Sequence, residues 1–312
     1  MDESITIVLD DNEILTGVCG VNDGNLKIIA GSLGGRINTR GNVISLFGVD
    51  KDGARRFKNV IDNLVVAVRE GEYPTREYVA ALAGDFAEIE NDPRGSCIQI
   101  PQGFSKVFPR SRSQARYIEG MRSCDICFCA GPAGTGKTFI AVAEALRLVL
   151  SKKMRKLVLT RPVVEAGESL GYLPGDLVQK INPYLRPLYD AMETLIPFDT
   201  IRRMEDTRAI EIAPLAYMRG RSLNDCIIVL DEAQNTTKEQ MKMFLTRIGR
   251  GARAVITGDT TQIDLPKRVE SGLLHALSIL SGVEGIFISR LDTSDVVRNP
   301  IIKRIIEAYD KA

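Results

Sequence analysis

The octapeptide at residues 131–138 constrains this chain more than any other feature, because it matches the pattern of a phosphate-binding P-loop. It runs in the order Gly131, Pro132, Ala133, Gly134, Thr135, Gly136, Lys137 and Thr138. Glycines let such a loop curl until its backbone N–H groups face a phosphate, where a β-carbon would collide. A P-loop also requires a strand before it and a helix after it, so the pattern predicts local structure as well as a ligand.

The flanking residues supply this context. Residues 125–130 form a short apolar run typical of a buried strand, and residues 138–150 combine high helix propensity with a broad apolar face. We therefore predict that the whole loop binds ATP, with Lys137 on the β- and γ-phosphates and the Thr138 hydroxyl on Mg²⁺. An ordinary Gly-rich turn is the alternative interpretation.

A second apolar run, residues 226–230, ends in two acidic residues and predicts the rest of the metal site. Asp231 follows the run directly, where it can hold Mg²⁺ through water. Glu232 comes next, where it can polarise the attacking water as a general base. A surface strand that ends in two acids is the alternative, but a P-loop in the same chain favours nucleotide hydrolysis.

Two glutamines are further candidate nucleotide contacts. A third predicted strand, residues 252–259, ends in the motif Gly-Asp-x-x-Gln, which resembles motif III of superfamily-1 helicases and makes Gln262 the candidate γ-phosphate sensor. Gln114, ahead of the first strand, has the position of the helicase Q-motif, whose amide reads the adenine edge. A role of Gln114 in a helix cap is the alternative. The sequence has no Asn-Lys-x-Asp guanine motif, which disfavours a GTPase.

The first 70 residues predict a small α/β domain with the order strand, helix, two strands, helix. This order, and the Gly-rich text at residues 34–42, resemble a KH-like RNA-binding module. A KH domain clamps RNA with a GXXG loop between two helices, whereas Gly31-Ser32-Leu33-Gly34 lies at a helix end before a strand. RNA binding and a docking or oligomerisation role are both open for this domain.

Residues 71–100 contain a predicted helix at 75–90 and a break at 91–95, so we predict a helical connection to a P-loop domain at residues 101–312. The chain has a net charge of +1, but residues 1–100 carry a net −6 and the remainder a net +7. Electrostatic affinity for nucleic acid is therefore expected in the second domain. A solvated surface is the alternative.

The remaining sequence features favour a cytoplasmic protein and disfavour a zinc site or a catalytic histidine. The acidic N-terminus lacks the apolar segment of a signal peptide, and no stretch reaches the ~18 apolar residues of a membrane span. Cys124 and Cys127 have the spacing of half a zinc site or of a redox pair, but no second Cys/His pair follows at ligand spacing, so buried free thiols are favoured. His275, the only histidine, lies in an apolar helical stretch that favours packing over catalysis.

Four further sequence segments resemble those of a known family. They are LTRPVVEAGESLGYLPGD at 159–176, NPYLRPLYD at 182–190, APLAYMRGR at 213–221 and DVVR at 295–298. In this order the motifs resemble the PhoH family of ATPases over about residues 101–310, and the KH-like domain matches longer bacterial members more loosely. Asn299-Pro300 departs from the His-Pro expected after the last motif.

The resemblance implies a single RecA-like core with a mainly parallel sheet, linked to RNA metabolism or ribosome maturation beside an endoribonuclease partner. Superfamily-1 helicases close their ATP site between two cores, but only 50 residues follow Gln262 here. We therefore expect a homo-oligomer, with a hexameric ring as a candidate, in which a neighbouring subunit supplies an arginine finger. Arg298 is the first candidate finger, followed by Arg219 and Arg221, with surface salt bridges as the alternative.

Three function classes are consistent with these features. The first is an Mg²⁺-dependent ATPase that moves or remodels single-stranded RNA and could act as an RNA helicase, with Lys137, Glu232, Gln262 and Arg298 as catalytic residues. The second is an ATP-gated docking scaffold for a ribonuclease or ribosome factor, without unwinding. The third is a small-molecule P-loop kinase, which the motif around Gln262 and the absence of a recognisable lid in the sequence disfavour.

Overall fold

The structure is a computed structural model, and it describes residues 3–9, 11–84, 93–163, 177–266 and 268–296. The chain divides into two compact units, which are described separately. The first comprises residues 1–97 and 107–115, and the second comprises residues 98–106 and 116–312.

The first unit contains a three-stranded antiparallel sheet. Strands β1 (Glu3–Val8) and β2 (Arg36–Arg40) both pair with the central strand β3 (Val43–Val49). The helices of this unit are α1 (Asn12–Cys19), α2 (Gly24–Leu33), α3 (Lys51–Arg69) and α4 (Arg76–Ala83). Helix α3 buries one apolar face, which includes Phe57, Ile61 and Leu64, in the core of the unit, as its 3.6-residue periodicity predicts.

Helix α1 lies in a stretch for which the sequence predicted no element. It begins after Asp11, whose carboxylate accepts hydrogen bonds from the N–H groups of Glu13 and Ile14. Gly17 inside the helix weakens the local helical signal. A β-carbon on Gly17 would lie 2.7 Å from a methyl carbon of Val68 on α3, so glycine permits the close approach of these two helices. Tertiary packing therefore outweighs local propensity here.

Helices α1 and α2 follow each other directly in the chain. The short segment between them, the α1–α2 joint, therefore has the position that the GXXG loop has in a KH domain. Its residues are Gly20-Val21-Asn22-Asp23, and Asn22 and Asp23 have φ values of 53° and 56°. The fourth residue is therefore aspartate where GXXG has glycine. The stretch from Gly31 ends α2, and Gly34 with φ 75° is its C-cap.

Helix α4 comes from the segment predicted to connect the two domains, yet it packs into the core of the first unit. Its residues Tyr78, Val79 and Leu82 are buried in the same apolar cluster as Phe57 of α3. The predicted helix at residues 75–90 is observed as Arg76–Ala83, and residues 85–92 lie outside the described part of the chain.

The second unit is built on a six-stranded sheet with the order β11-β6-β10-β9-β7-β8, in which the strand pairs are parallel. Two short strands, β4 (Ile98–Gln99) and β5 (Lys106–Val107), precede it. The sheet strands are β6 (Ile126–Ala130), β7 (Lys156–Arg161), β8 (Ile210–Pro214), β9 (Cys226–Leu230), β10 (Arg253–Gly258) and β11 (Ile286–Arg290). The predicted α/β class with a mainly parallel sheet is confirmed.

Helices accompany this sheet, as crossovers between parallel strands require. They are α5 (Arg112–Ser123), α6 (Lys137–Leu150), α7 (Leu177–Leu195), α8 (Phe198–Asp206), α9 (Lys238–Leu245) and α10 (Gly272–Ile279). All five residues of β9 are buried, because a central parallel strand is covered on both faces. Within the described residues, no helix is long and apolar enough to cross a membrane.

An ion-pair cluster joins strands β7 and β8. Arg221 donates to both carboxylate oxygens of Glu211, with Nη1–Oε1 and Nη2–Oε2 distances of 2.5 and 2.9 Å, and Lys156 also binds this carboxylate. The hydrogen bond from Arg221 opposes burial and, with Lys156, lowers the pKa of Glu211 to about 2. Arg221 thus makes a salt bridge, which is the alternative that the sequence left open to its role as an arginine finger.

Replacing Glu211 by glutamine is expected to lower the free energy of unfolding at pH 7 by about 1–2 kcal/mol, after allowance for partial exposure. The folded pKa is depressed, so this contribution is present above the unfolded pKa and is lost as pH falls towards the folded value. Urea unfolding at pH 7 and pH 3 measures the difference between wild type and variant, which should shrink at pH 3. The exposed Glu284→Gln change is the control, and a pH-independent difference would contradict the prediction.

Candidate nucleotide-binding site

The predicted P-loop lies between β6 and α6, at the carboxyl end of the sheet. Gly134 and Gly136 have φ values of 83° and 80°, a left-handed conformation that glycine adopts without steric cost. A β-carbon on Gly131 would lie 2.6 Å from the carbonyl oxygen of Leu291, so the chain that follows β11 leaves no room for a side chain there. Glycine is therefore required at positions 134 and 136 by the backbone conformation and at position 131 by the close packing of Leu291.

The Lys137 side chain is folded back onto its own loop. Its Nζ donates to the carbonyl oxygens of Gly131 and Pro132, both at 2.7 Å, and the Thr135 hydroxyl also donates to Pro132. Burial lowers the pKa of the Lys137 ammonium, whereas nearby carboxylates, including that of Asp259, favour the charged form. This places a positive charge against backbone carbonyls that a phosphate could replace as acceptors.

The two predicted magnesium ligands are in direct contact. The Thr138 hydroxyl donates to Asp231 Oδ1 at 2.6 Å, and Thr257 of β10 donates to the same oxygen at 2.8 Å. Mg²⁺ prefers oxygen ligands and is commonly held by one or two protein groups together with substrate phosphates. Over the described ranges no group of three His, Cys, Asp or Glu residues could hold a metal by itself. Thr138 and Asp231 therefore fit Mg²⁺ in its phosphate-bound form.

The Glu232 carboxylate is held by two partners. Gln234 Nε2 donates to Oε2 at 2.5 Å, and Arg161 Nη2 lies 3.1 Å from Oε1 in an ion pair. The Glu232 backbone has φ 52° and ψ 38°, a left-handed conformation that is uncommon outside glycine. Arg161 ends β7, which pairs with β9 ahead of Glu232, so parallel pairing brings the two side chains to one edge.

Asp259 ties the third strand to the P-loop. Its Oδ2 accepts from the Ala133 N–H at 2.9 Å, and its Oδ1 accepts from the N–H and the hydroxyl of Thr261. Burial raises the pKa of Asp259, but these hydrogen bonds outweigh it and the net shift is downward. The Asp259 N–H donates to Gln234 Oε1 at 3.0 Å, which connects the P-loop to Glu232 through Gln234.

A cavity of about 260 Å³ lies among these groups. Most of the predicted site residues line this cavity, including the candidate γ-phosphate sensor Gln262. The full lining is Ala133, Gly134, Gly136, Lys137, Thr138, Phe139, Asp231, Glu232, Gly258, Asp259 and Gln262. Three segments that are distant in sequence therefore meet around one space, with a cation, carboxylates and an amide facing it.

Other predicted site residues are placed differently. Gln114, in the first unit, lies in the first turn of α5: its side-chain oxygen accepts from the Arg110 N–H at 2.7 Å, and its backbone N–H donates to Ser111 Oγ, which caps the helix. Adenine recognition by Gln114 stays a prediction. Arg298 lies outside the described residues, and Arg219 is exposed. No disulfide forms among the described cysteines; Cys127 is buried, as are Cys19, Cys129 and Cys226, whereas Cys124 is only partly buried.

Sequence reasoning assigned no role to Arg161, Gln234 or Asp259, although all three touch the site. Gln234 lies two residues after Glu232, and Asp259 belongs to the Gly-Asp-x-x-Gln motif. Their closeness to these motifs in the sequence could have indicated that both belong to the site. Arg161 comes two residues after an apolar run, residues 157–159, and the carboxyl ends of parallel strands share one edge. This rule would have brought Arg161 to the site, but not to Glu232 in particular.

Comparison with known proteins places the site in context. A family model described as "PhoH-like protein" matches residues 106–310. A PhoH-like protein of Bacillus subtilis (strain 168) is 44% identical over 305 residues, which cover 94% of this chain and 92% of that protein. Protein PhoH of Escherichia coli (strain K12) is 41% identical over 207 residues, 66% of this chain and 58% of that protein. Among solved structures, Pif1 helicase from Candida albicans matches at 16% identity with a TM-score of 0.34, covering 64% and 43% of the two chains.

Proposed function

This chain belongs to the PhoH-like protein family, and from that premise we propose that it is an Mg²⁺-dependent ATPase whose hydrolysis is coupled to binding and remodelling of single-stranded RNA. One observation carries the ATPase part. The Thr138 hydroxyl and the Asp231 carboxylate meet at 2.6 Å on the wall of the cavity that also contains Lys137 and Glu232. Phosphate binding, metal binding and water activation thereby share one space.

In the proposed reaction, Lys137 exchanges its bonds to loop carbonyls for bonds to the β- and γ-phosphates. Thr138 and Asp231 would hold Mg²⁺, which when bound would neutralise charge on the phosphate oxygens. Glu232 takes a proton from water as the water oxygen attacks the γ-phosphorus and the bond to the bridging oxygen breaks, which yields ADP and phosphate. Gln262, on the cavity wall, is the proposed sensor of the γ-phosphate.

A groove of about 850 Å³ in the first unit supports the RNA part of the proposal. It lies along the α1–α2 joint, and its lining includes Lys27, Arg76 and Tyr73, whose side chain is 81% exposed. Glu13 also lines the groove, but an exposed aromatic ring and two cations in one groove are the kinds of group that stack bases and neutralise phosphates of a single strand. Residues 1–100, which include this groove, carry a net −6, so the net +7 of residues 101–312 supports RNA contact by that part of the chain instead.

The proposal includes a homo-oligomer, with a hexameric ring as the candidate form, in which Arg298 of a neighbouring copy acts as the finger. An endoribonuclease is the proposed protein partner. The second candidate function, an ATP-gated scaffold for a ribonuclease or ribosome factor, uses the same site without unwinding. Solution mass with and without ATP tests the oligomer, because closure by a neighbouring copy requires one.

Phosphate release from ATP, in the absence of any acceptor substrate, tests the proposed function. We expect turnover with Mg²⁺, none with excess EDTA, and a higher rate with single-stranded RNA of about 30 nucleotides. Stimulation should fall steeply between about 50 and 200 mM salt, because phosphate contacts release counterions. Double-stranded RNA of equal length is the control. Turnover that RNA does not change at any salt would favour the scaffold, and no turnover would reject the ATPase.

A further inference from the structure

We propose that Arg161 is a positioning residue that restrains Glu232, and that the phosphodiester backbone of single-stranded RNA releases Glu232 by binding the Arg161 guanidinium. This inference rests on the proposed function, because it takes Glu232 as the general base, and it adds a mechanism by which RNA raises the rate. Arg161 does not touch the reacting atoms in this scheme and acts only through Glu232.

The first observation is the state of the Glu232 carboxylate. A general base needs an oxygen free to accept a proton from water. Here Oε2 accepts from Gln234 and Oε1 is paired with Arg161, while the Glu232 side chain is 34% exposed and within reach of water. Each oxygen therefore has one donor from the protein itself and keeps a second lone pair, and the two donors together fix the orientation of the carboxylate. The restraint is thus one of orientation.

The two partners of Glu232 differ in how firmly they are held. Gln234 is 1% exposed, and its amide oxygen accepts from the Asp259 N–H while its backbone carbonyl accepts from Ser271. The Arg161 side chain is 20% exposed, and its Nη1 reaches the Tyr184 carbonyl oxygen at 3.3 Å. Arg161 is therefore the partner that can leave Glu232 without disturbing the core.

The position of Arg161 indicates which ligand it meets. It lies on the β7 side of Glu232, and β10 and β9 separate β7 from the P-loop strand. The next strand outward, β8, leads to Tyr217, which is 50% exposed, and to the exposed Arg219. A ring and a cation at this edge suit the bases and phosphates of a single strand.

Guanidinium chemistry allows Arg161 to exchange a carboxylate partner for a phosphate. The planar fork of arginine binds a phosphate with two parallel N–H donors and suits phosphate as well as carboxylate. An RNA phosphate that binds Arg161 would free Oε1 of Glu232 while Gln234 continues to orient the group. RNA binding and the active arrangement of Glu232 would then favour each other, as linkage requires.

The test compares kcat and KM for ATP in wild type, Arg161→Gln and Arg161→Lys, with and without single-stranded RNA of about 30 nucleotides. In Arg161→Gln we expect kcat without RNA to rise about fivefold or more, the stimulation by RNA to fall close to one, and KM to stay the same. Arg161→Lys keeps a point charge and should lie between the two. Arg155→Gln removes the same charge from an exposed position before β7 and is the matched control.

Several results would overturn the inference. A lower kcat in Arg161→Gln would mean that Arg161 assists Glu232, and undiminished RNA stimulation would mean that RNA acts elsewhere. If wild type and Arg161→Gln have equal kcat at saturating ATP without RNA, then ATP binding and not RNA releases Glu232 from Arg161. RNA affinity of the nucleotide-free proteins, by fluorescence anisotropy, should be weaker in Arg161→Gln than in Arg155→Gln, and equal affinities would also count against it. If Arg161→Gln does not fold by circular dichroism, the Arg161→Lys comparison decides.

Failure of the inference and failure of the proposed function are distinguishable. A wild-type protein without ATP turnover rejects the ATPase itself. A wild-type protein that hydrolyses ATP, combined with an Arg161→Gln variant that is neither faster nor less responsive to RNA, rejects only the role of Arg161.

Discussion

Replacement of Lys137 by alanine is expected to lower kcat/KM for ATP by at least about 10²–10³-fold, which for a slow ATPase is loss of measurable turnover. Lys137 supplies the only cationic side chain on the wall of the described cavity, where it lies beside Asp231 and Glu232. Without it, the negative charge of the triphosphate would face these carboxylates with no compensating group from the loop. The measurement is phosphate release together with ATP binding by a fluorescent analogue.

The control for this prediction is Lys153→Ala, an exposed lysine shortly after α6 that carries the same charge. The alanine variant of Lys137 also loses two hydrogen bonds to the loop carbonyls of Gly131 and Pro132. Thermal unfolding therefore has to accompany the kinetics. A folded Lys137→Ala protein with unchanged turnover would contradict the assignment of the P-loop to ATP hydrolysis.

Replacement of Glu232 by glutamine is expected to leave ATP binding intact and to slow hydrolysis about 10²–10⁴-fold, the usual contribution of a general base. Glutamine keeps the size of the side chain and still offers an oxygen to the Gln234 amide, but it cannot take a proton from water. Single-turnover hydrolysis measured with pre-bound ATP separates this step from binding. Glu284→Gln, at an exposed position, is the matched control.

Two results would contradict the role of Glu232. Normal hydrolysis in Glu232→Gln would remove it as the base, and loss of ATP binding would make it a nucleotide ligand instead. The variant also tests the role of Arg161, because a restraint on a group that no longer acts has no kinetic effect. Arg161→Gln added to Glu232→Gln should therefore leave the residual rate unchanged.

Local pattern was sufficient wherever the physical cause is local. The glycines of the P-loop, the apolar run of β6 and the helix α6 are each encoded within about ten residues, and all lie where the sequence predicted them. Helix α1 was missed because Gly17 weakens its propensity, and only the contact with Val68 of α3 makes glycine favourable there. The helix predicted as a connection is part of the first core because its apolar face packs against α2 and α3.

The sequence by itself determined the α/β class, the P-loop, the acidic pair at Asp231 and Glu232, and the family. Only the tertiary structure decided which side chains meet, because the order of strands in a parallel sheet is not written in any local pattern. Thr138 and Asp231 are 93 positions apart and touch, since β6 and β9 end at one edge on either side of β10. The contact of Arg161 with Glu232 has the same origin, since it exists because β7 pairs with β9.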